Sequence, residues 1–248
     1  MLIPQTLKFV KQPNSACKNV VKANANTFKV DVKLSDMIWR LPIVKFNPIL
    51  NGKILSEVAK GNEYEILFRH WFHMYTKNES QISEFIWDFP STNSRVKYVL
   101  IAFQKPGRDA VLTEDYSTFD HCNLRSIQVQ LNNARLYPHE KPASWNITEF
   151  RVGSLYTLFK DFQQSYYNRN EHETYPVIDL KTFLTKFPIV CIDCSRHYTS
   201  DTVIKDSVIN IKIRFEFVTP LEVNTTVHAI IISEEQTRYL PLPCCSMT

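Results

Sequence analysis

The sequence predicts an all-β protein, an antiparallel β-sandwich of jelly-roll type with about eight to nine strands and short helical insertions. Three observations carry that expectation. Short runs alternating apolar and polar residues recur along the chain, the pattern of strands with one face buried. Aromatic residues make up 12% of the 248 positions, with 16 Phe and 11 Tyr, and such side chains suit a pleated surface. The runs are joined by long, decorated loops rather than tight hairpins. Glycine fits the same picture: there are 4 in 248 residues, where about 7% is usual. Long loops are expected to need few positive-φ positions.

Residues 1–26 are polar and broken by Pro4 and Pro13, and read as a basic N-terminal arm. The sandwich is expected over 27–242, with 243–248 as a C-terminal tail. Thr27–Leu34 alternates with period two and reads as a strand. Ile38–Phe46 reads as a second, bent or at an edge because of Pro42. A short helix near 51–60 carries Ile54, Leu55, Val58 and Ala59 and stops at Gly61. Glu63–Tyr75 is an aromatic-rich strand, and Trp87 heads another. Lys97–Gln104 is nearly all apolar, so it should be covered on both faces. Ser126–Leu131 alternates strictly and turns at Asn132-Asn133.

A helical insertion near 150–168 shows Val152, Leu155, Phe159, Phe162 and Tyr166 at three- and four-residue spacing. Asp179 is placed to cap a second, near 180–187. Ile189–Cys194, Val208–Val218, Val227–Ile232 and Thr237–Leu240 complete the strands. The clearest alternation is Ile209, Ile211, Ile213, Phe215 and Phe217 against Asn210, Lys212, Arg214 and Glu216.

Composition removes several function classes. Gly52, Gly61, Gly107 and Gly153 are isolated, so no glycine-rich loop exists to close backbone amides on a phosphate. No secretory leader or apolar run of membrane-spanning length is seen, so no membrane contact is expected. The expected location is the cytoplasm or nucleus. Sequons at Asn78, Asn146 and Asn224 then read as chance matches. The net charge of +4 is uneven: residues 1–53 hold nine Lys/Arg and two Asp, for +7, and the remainder is −3. Such a segment could touch nucleic acid weakly, or serve as a solvated arm that keeps strand edges soluble.

Nothing in the sequence has the density of an active site: no catalytic, cofactor-binding or metal-binding residue is assigned, and no cofactor is expected. Cys191-Ile192-Asp193-Cys194 has redox spacing, yet in a strand positions i and i+3 face opposite sides, so buried structural cysteines are the plainer reading. Asp193, Cys194, Ser195 and His197 supply acid, nucleophile and base types, but without a glycine-flanked elbow. His70 and His73 should likewise face opposite ways, and His121 and His139 lie in loops. Cys244-Cys245 reads as part of an exposed tail. Arg69-His70-Trp71-Phe72 could stack bases, although period-two aromatics more often fill a sandwich core.

The stretch Phe119-Asp120-His121-Cys122-Asn123-Leu124, continuing through Leu131-Asn132-Asn133 to Tyr137-Pro138, resembles the double-jelly-roll-like capsid protein family of insect genomes, related to Polinton/Maverick and adintovirus-like elements. Ile38-Trp39-Arg40-Leu41-Pro42, Ile66–Trp71, Val99–Gln104, Phe162–Tyr167 and Ile192–Ser195 match in order, and Ala229–Ile232 with Tyr239–Leu242 match a closing hairpin. Ser233-Glu234-Glu235 stands at the acidic turn after the closing strand. The resemblance implies a non-enzymatic capsid protein whose partner is itself, as a homotrimeric capsomer contacting neighbouring capsomers, and a virion as its location if the protein is viral. It covers what looks like the second roll only. A first roll would need roughly 150 further residues ahead of Lys33, so a fragment or a domesticated single roll is expected. The alternative is a host binding module for protein or nucleic acid. If the basic segment binds nucleic acid, deleting residues 1–35 should abolish salt-sensitive binding in a mobility-shift titration.

Overall fold

The computed structural model describes residues 8, 33, 35–38, 40, 45–61, 63–92, 95–108, 115–132, 135–138, 143–146, 152–168, 178–195 and 208–239. In chain order these form α1 (Pro48–Ala59), β1 (Tyr64–Lys77), β2 (Ile82–Thr92), β3 (Arg95–Gln104), β4 (Leu124–Leu131), β5 (Arg135–Tyr137), β6 (Ala143–Ser144), α2 (Gly153–Tyr167), α3 (Leu180–Lys186), β7 (Val190–Asp193), β8 (Ile209–Leu221) and β9 (Thr226–Tyr239). The strands make two antiparallel sheets, ordered β1-β9-β3-β7 and β2-β8-β4-β5, with β6 also pairing to β4. From β1 to β4 each successive strand changes sheet, and β8 and β9 enter the middle of one sheet each. This is the jelly-roll sandwich.

The alternation in β8 builds the core. Ile209, Ile211, Ile213, Phe215 and Phe217 are all buried. Phe215 stacks on Phe85 of β2 at 5.7 Å between centroids and meets Phe103 of β3 edge-on at the same distance. The opposite face of β8 lies in solvent with a charge ladder: Arg214 bonds Glu84 at 2.5 Å, and Lys212 approaches Asp88 at 3.6 Å. Pro90 and Pro220 fall at register shifts of the β2–β8 pair, where the missing N–H breaks no regular ladder.

β3 is covered on both faces, as its apolar run predicts. Val99, Ile101 and Phe103 face the sandwich, while α2 lies across the other side. Leu155, Phe159 and Phe162 are buried, and Phe162 meets Tyr98 edge-on at 5.2 Å. Asp179 caps α3 by accepting from the Thr182 amide, and Phe183 packs against Phe159 at 5.0 Å.

Several expectations are corrected. α1 starts at Pro48 rather than 51, because Asn47 accepts from the Ile49 amide as its cap and proline suits the first turn. The described residues of Ile38–Phe46 carry no strand; Trp39 and residues 41–44 lie outside the description, as does Thr27–Leu34 apart from Lys33. Trp87 sits inside β2 rather than heading it. Val227–Ile232 and the described part of Thr237–Leu240 are one strand, β9, with no closing hairpin between them. Ser233-Glu234-Glu235 is therefore strand, not turn: Glu234 pairs with Lys97 at 3.2 Å and Glu235 with His70 at 3.2 Å. The loops also use positive φ more than glycine scarcity suggested. Gly61 and Gly107 adopt it, but so do Asn123, Asn132, Asn168, Asn224 and Cys122. Asparagine tolerates the left-handed region best among residues with a Cβ.

Phe215→Ala should cost about 3–5 kcal/mol in chemical denaturation. Val218→Ala, on the exposed face of the same strand, should cost under about 0.5 kcal/mol.

Candidate assembly surface and outer cleft

Of the cysteine and serine constellation, Cys191, Asp193, Cys194 and Ser195 are among the described residues. Cys191 and Cys194 are fully buried, and burial pushes both thiols up, which keeps them protonated and poorly nucleophilic. Strand alternation puts Cys191 on the face under α2. Ser195 spends its amide and hydroxyl on Asp193 Oδ1, at 2.7 and 2.5 Å, closing a turn after β7. His197, His139, Cys17, Cys244 and Cys245 lie outside the described residues. Cys122 is held up to about 12, chiefly by burial. His121 Nδ1 accepts from the Asn123 amide at 3.0 Å, an assignment internal to its loop. Among the described residues no cluster of three or more His, Cys, Asp or Glu could hold a metal.

The sequons divide. Asn78 is buried, and its Nδ2 donates to the carbonyls of Ser80 and Glu222 at 2.9 and 2.8 Å. It therefore ties the β1–β2 connection to the β8–β9 connection. Asn224 is exposed at a left-handed turn position.

β1 departs most from expectation. Its aromatics do not fill the core: Leu67 is 65% exposed, Trp71 49% and Tyr75 64% on the outer side, and Phe68 and Phe72 are exposed on the other. Two facts of register explain this. No described strand pairs with the far edge of β1. β3 pairs with β9 only as far as Glu234, whereas β1 continues to Tyr239. Tyr64–Phe68 and Glu235–Tyr239 thus overhang the sandwich as a two-stranded ribbon that no second sheet covers among the described residues. α2 covers only the root: Arg69 donates to the Tyr166 carbonyl at 2.7 Å and lies over its ring, while Trp71 meets that ring edge-on at 5.8 Å. α1, just ahead of β1, buries no residue and leaves Ile49, Leu50 and Leu55 exposed. Scattered apolar residues are ordinary, but a strand apolar on both faces beside an unburied helix is a candidate contact surface.

The same outer sheet face holds a cleft bounded by the loop after β3, through Tyr116 and Phe119, and by Ile189 just ahead of β7. Cross-strand pairing places His73 of β1, His228 of β9 and Gln104 of β3 side by side. Gln104 Nε2 donates to the carbonyls of Tyr116 and Thr118, which leaves its Oε1 to accept from His228 Nε2 at 3.1 Å. His228 Nδ1 must then accept from His73 Nε2, at 3.2 Å. The chain runs one way, and both bonds of His228 require a neutral ring. Burial, and secondarily His73, hold His228 down at about 4. The two rings stack at 5.5 Å. Sequence reasoning missed this pair because 155 residues separate its members.

The sequence profile of the double jelly roll-like domain matches residues 6–236. No curated protein matches the chain. The match begins within the segment read as an arm. Among the described residues no helix is long and apolar enough to cross a membrane.

With its folded-state value lowered from 6.5, His228 favours the native state fully above that pH. As pH falls from 6.5 towards 4, unfolded chains take up a proton that the native chain refuses, so stability is lost. The melting temperature should therefore drop between pH 7 and 4.5, and His228→Gln should flatten that drop in a calorimetric pH series.

Proposed function

The chain belongs to the double jelly roll-like domain family, and on that premise we propose that it is a capsid-type structural protein that acts by self-assembly without catalysis. The observation that carries this reading is the β1–β9 ribbon, which offers Ile66, Leu67 and Phe68 to solvent on a rigid jelly roll. A two-stranded ribbon is marginal in water and gains stability when a neighbouring subunit covers it. The far edge of β1, unpaired among the described residues, adds a row of backbone donors and acceptors that a second chain can pair. Burial of the nucleophiles and the self-contained turn at Asp193 and Ser195 support a role in which contact, rather than chemistry, is the work.

The homotrimeric capsomer is the assembly proposed, with further contacts between capsomers building a shell. A nucleic-acid-binding module is the second reading, favoured by the excess of basic residues in 1–53.

Light scattering across a concentration series tests the first reading. Trimers or larger species should form, and Leu67→Arg with Phe68→Arg should shift the distribution to monomer while leaving the far-ultraviolet circular dichroism spectrum of the folded chain unchanged and lowering the melting temperature by the stability that subunit contact supplies. A chain that stays monomeric at the highest soluble concentration overturns it.

A further inference from the structure

We propose that the cleft on the outer face of the β1-β9-β3-β7 sheet is a binding site for a small amphiphilic carboxylate, an aliphatic chain ending in an anionic group. Two adjoining cavities carry the inference. The first, of about 430 Å³, is apolar, with Leu100, Ile189 and Ile230 along it and Phe119 as a wall. The second, of about 510 Å³, is lined by Lys77, Lys105 and Arg108, with no carboxylate among its described lining residues. They meet at His73, Gln104, Tyr116 and His228, which line both.

Each volume falls in the range of about 300–1,000 Å³ typical of small-molecule sites. Leu100, Ile189, Ile230 and Phe119 are only half-buried, so apolar surface remains for a ligand to cover. Asp120 bonds Arg108 at 2.7 Å and Lys105 through its backbone amide at 2.9 Å. Asp120 thus sits behind Arg108 and the Lys105 backbone rather than in the cavity, whose described lining carries basic side chains and no carboxylate. A purely apolar ligand would leave that half unused, and a bare anion would leave the apolar half wet. The His73–His228–Gln104 chain spends its hydrogen bonds internally and fixes the boundary between the halves. The site is independent of the ribbon, so its failure would leave the assembly reading untouched.

Decanoate is the probe, with butyrate, decanol and decylammonium as comparators, followed by calorimetry and by amide shift mapping on the unaltered chain. Decanoate should bind on the order of a hundredfold more tightly than butyrate, because each buried methylene adds affinity, and decylammonium should not bind. Shifts should centre on Leu100, Phe119, Ile230 and Lys105. Lys105→Glu should weaken decanoate at least tenfold and leave decanol unchanged. Three results would overturn the proposal: no shifts at about 1 mM decanoate, shifts centred on the β1 ribbon, or decanol and decanoate binding alike. The mapping needs no variant, so a misfolded Lys105→Glu chain would not shield the idea.

Discussion

Five alternate side chains of β8, from Ile209 to Phe217, fill the space between the two sheets, and the placement of everything else follows from them. Phe215 touches β2 through Phe85 and β3 through Phe103, so one ring joins both sheets. β8 is central in its sheet and β9 central in the other, and Asn78 ties the connection between them to the neighbouring β1–β2 connection. The stacking of these faces sets the sandwich thickness. It also sets where the outer faces lie, and hence which side chains reach α2, the cleft and solvent.

That constraint separates the two long strands that pair with each other. β9 is buried along its first half because β3 flanks it there, and it becomes exposed where β3 ends. Among the described residues β1 has β9 on one side only, so Trp71 relies on α2 for cover, Tyr75 on the rings of His73 and His228, and Phe68 stays exposed. Tyr166 shows how little cover is needed at the root: one ring receives Arg69 and Trp71 together. Beyond it the apolar surface is continuous with solvent. The exposed aromatics are thus a consequence of strand length mismatch rather than of unusual composition.

Much of this fold was legible because its elements carry local periods. The helical spacing of Leu155, Phe159 and Phe162, the cap at Asp179 and the alternation of β8 each encode their own structure. What was not legible depends on pairing partners. Period two in β1 shows that faces alternate, not that either face is covered, so a core reading of its aromatics was natural and wrong. The polar run Ser233-Glu234-Glu235 resembled a turn, yet it continues β9 where the pairing with β3 ends, and Glu234 and Glu235 find Lys97 and His70 there. The His73–His228 pair exists only through the register of β1 on β9. Asparagine at the left-handed positions explains how loops are built with so few glycines, an account composition alone pointed away from.

The pairing of β1 with β9 has a temporal side. The sheet's first strand ends at Lys77, and its partner begins at Thr226, so the nascent chain displays β1 long before β9 is made. Non-local closure of this kind is slow and exposes sticky surface during synthesis. Truncation ahead of Ala229 would remove most of the strand that joins β1 to β3, leaving β1 without its partner. β9 is therefore a quality gate: a ribosome that stops before completing it releases a chain that cannot close this sheet.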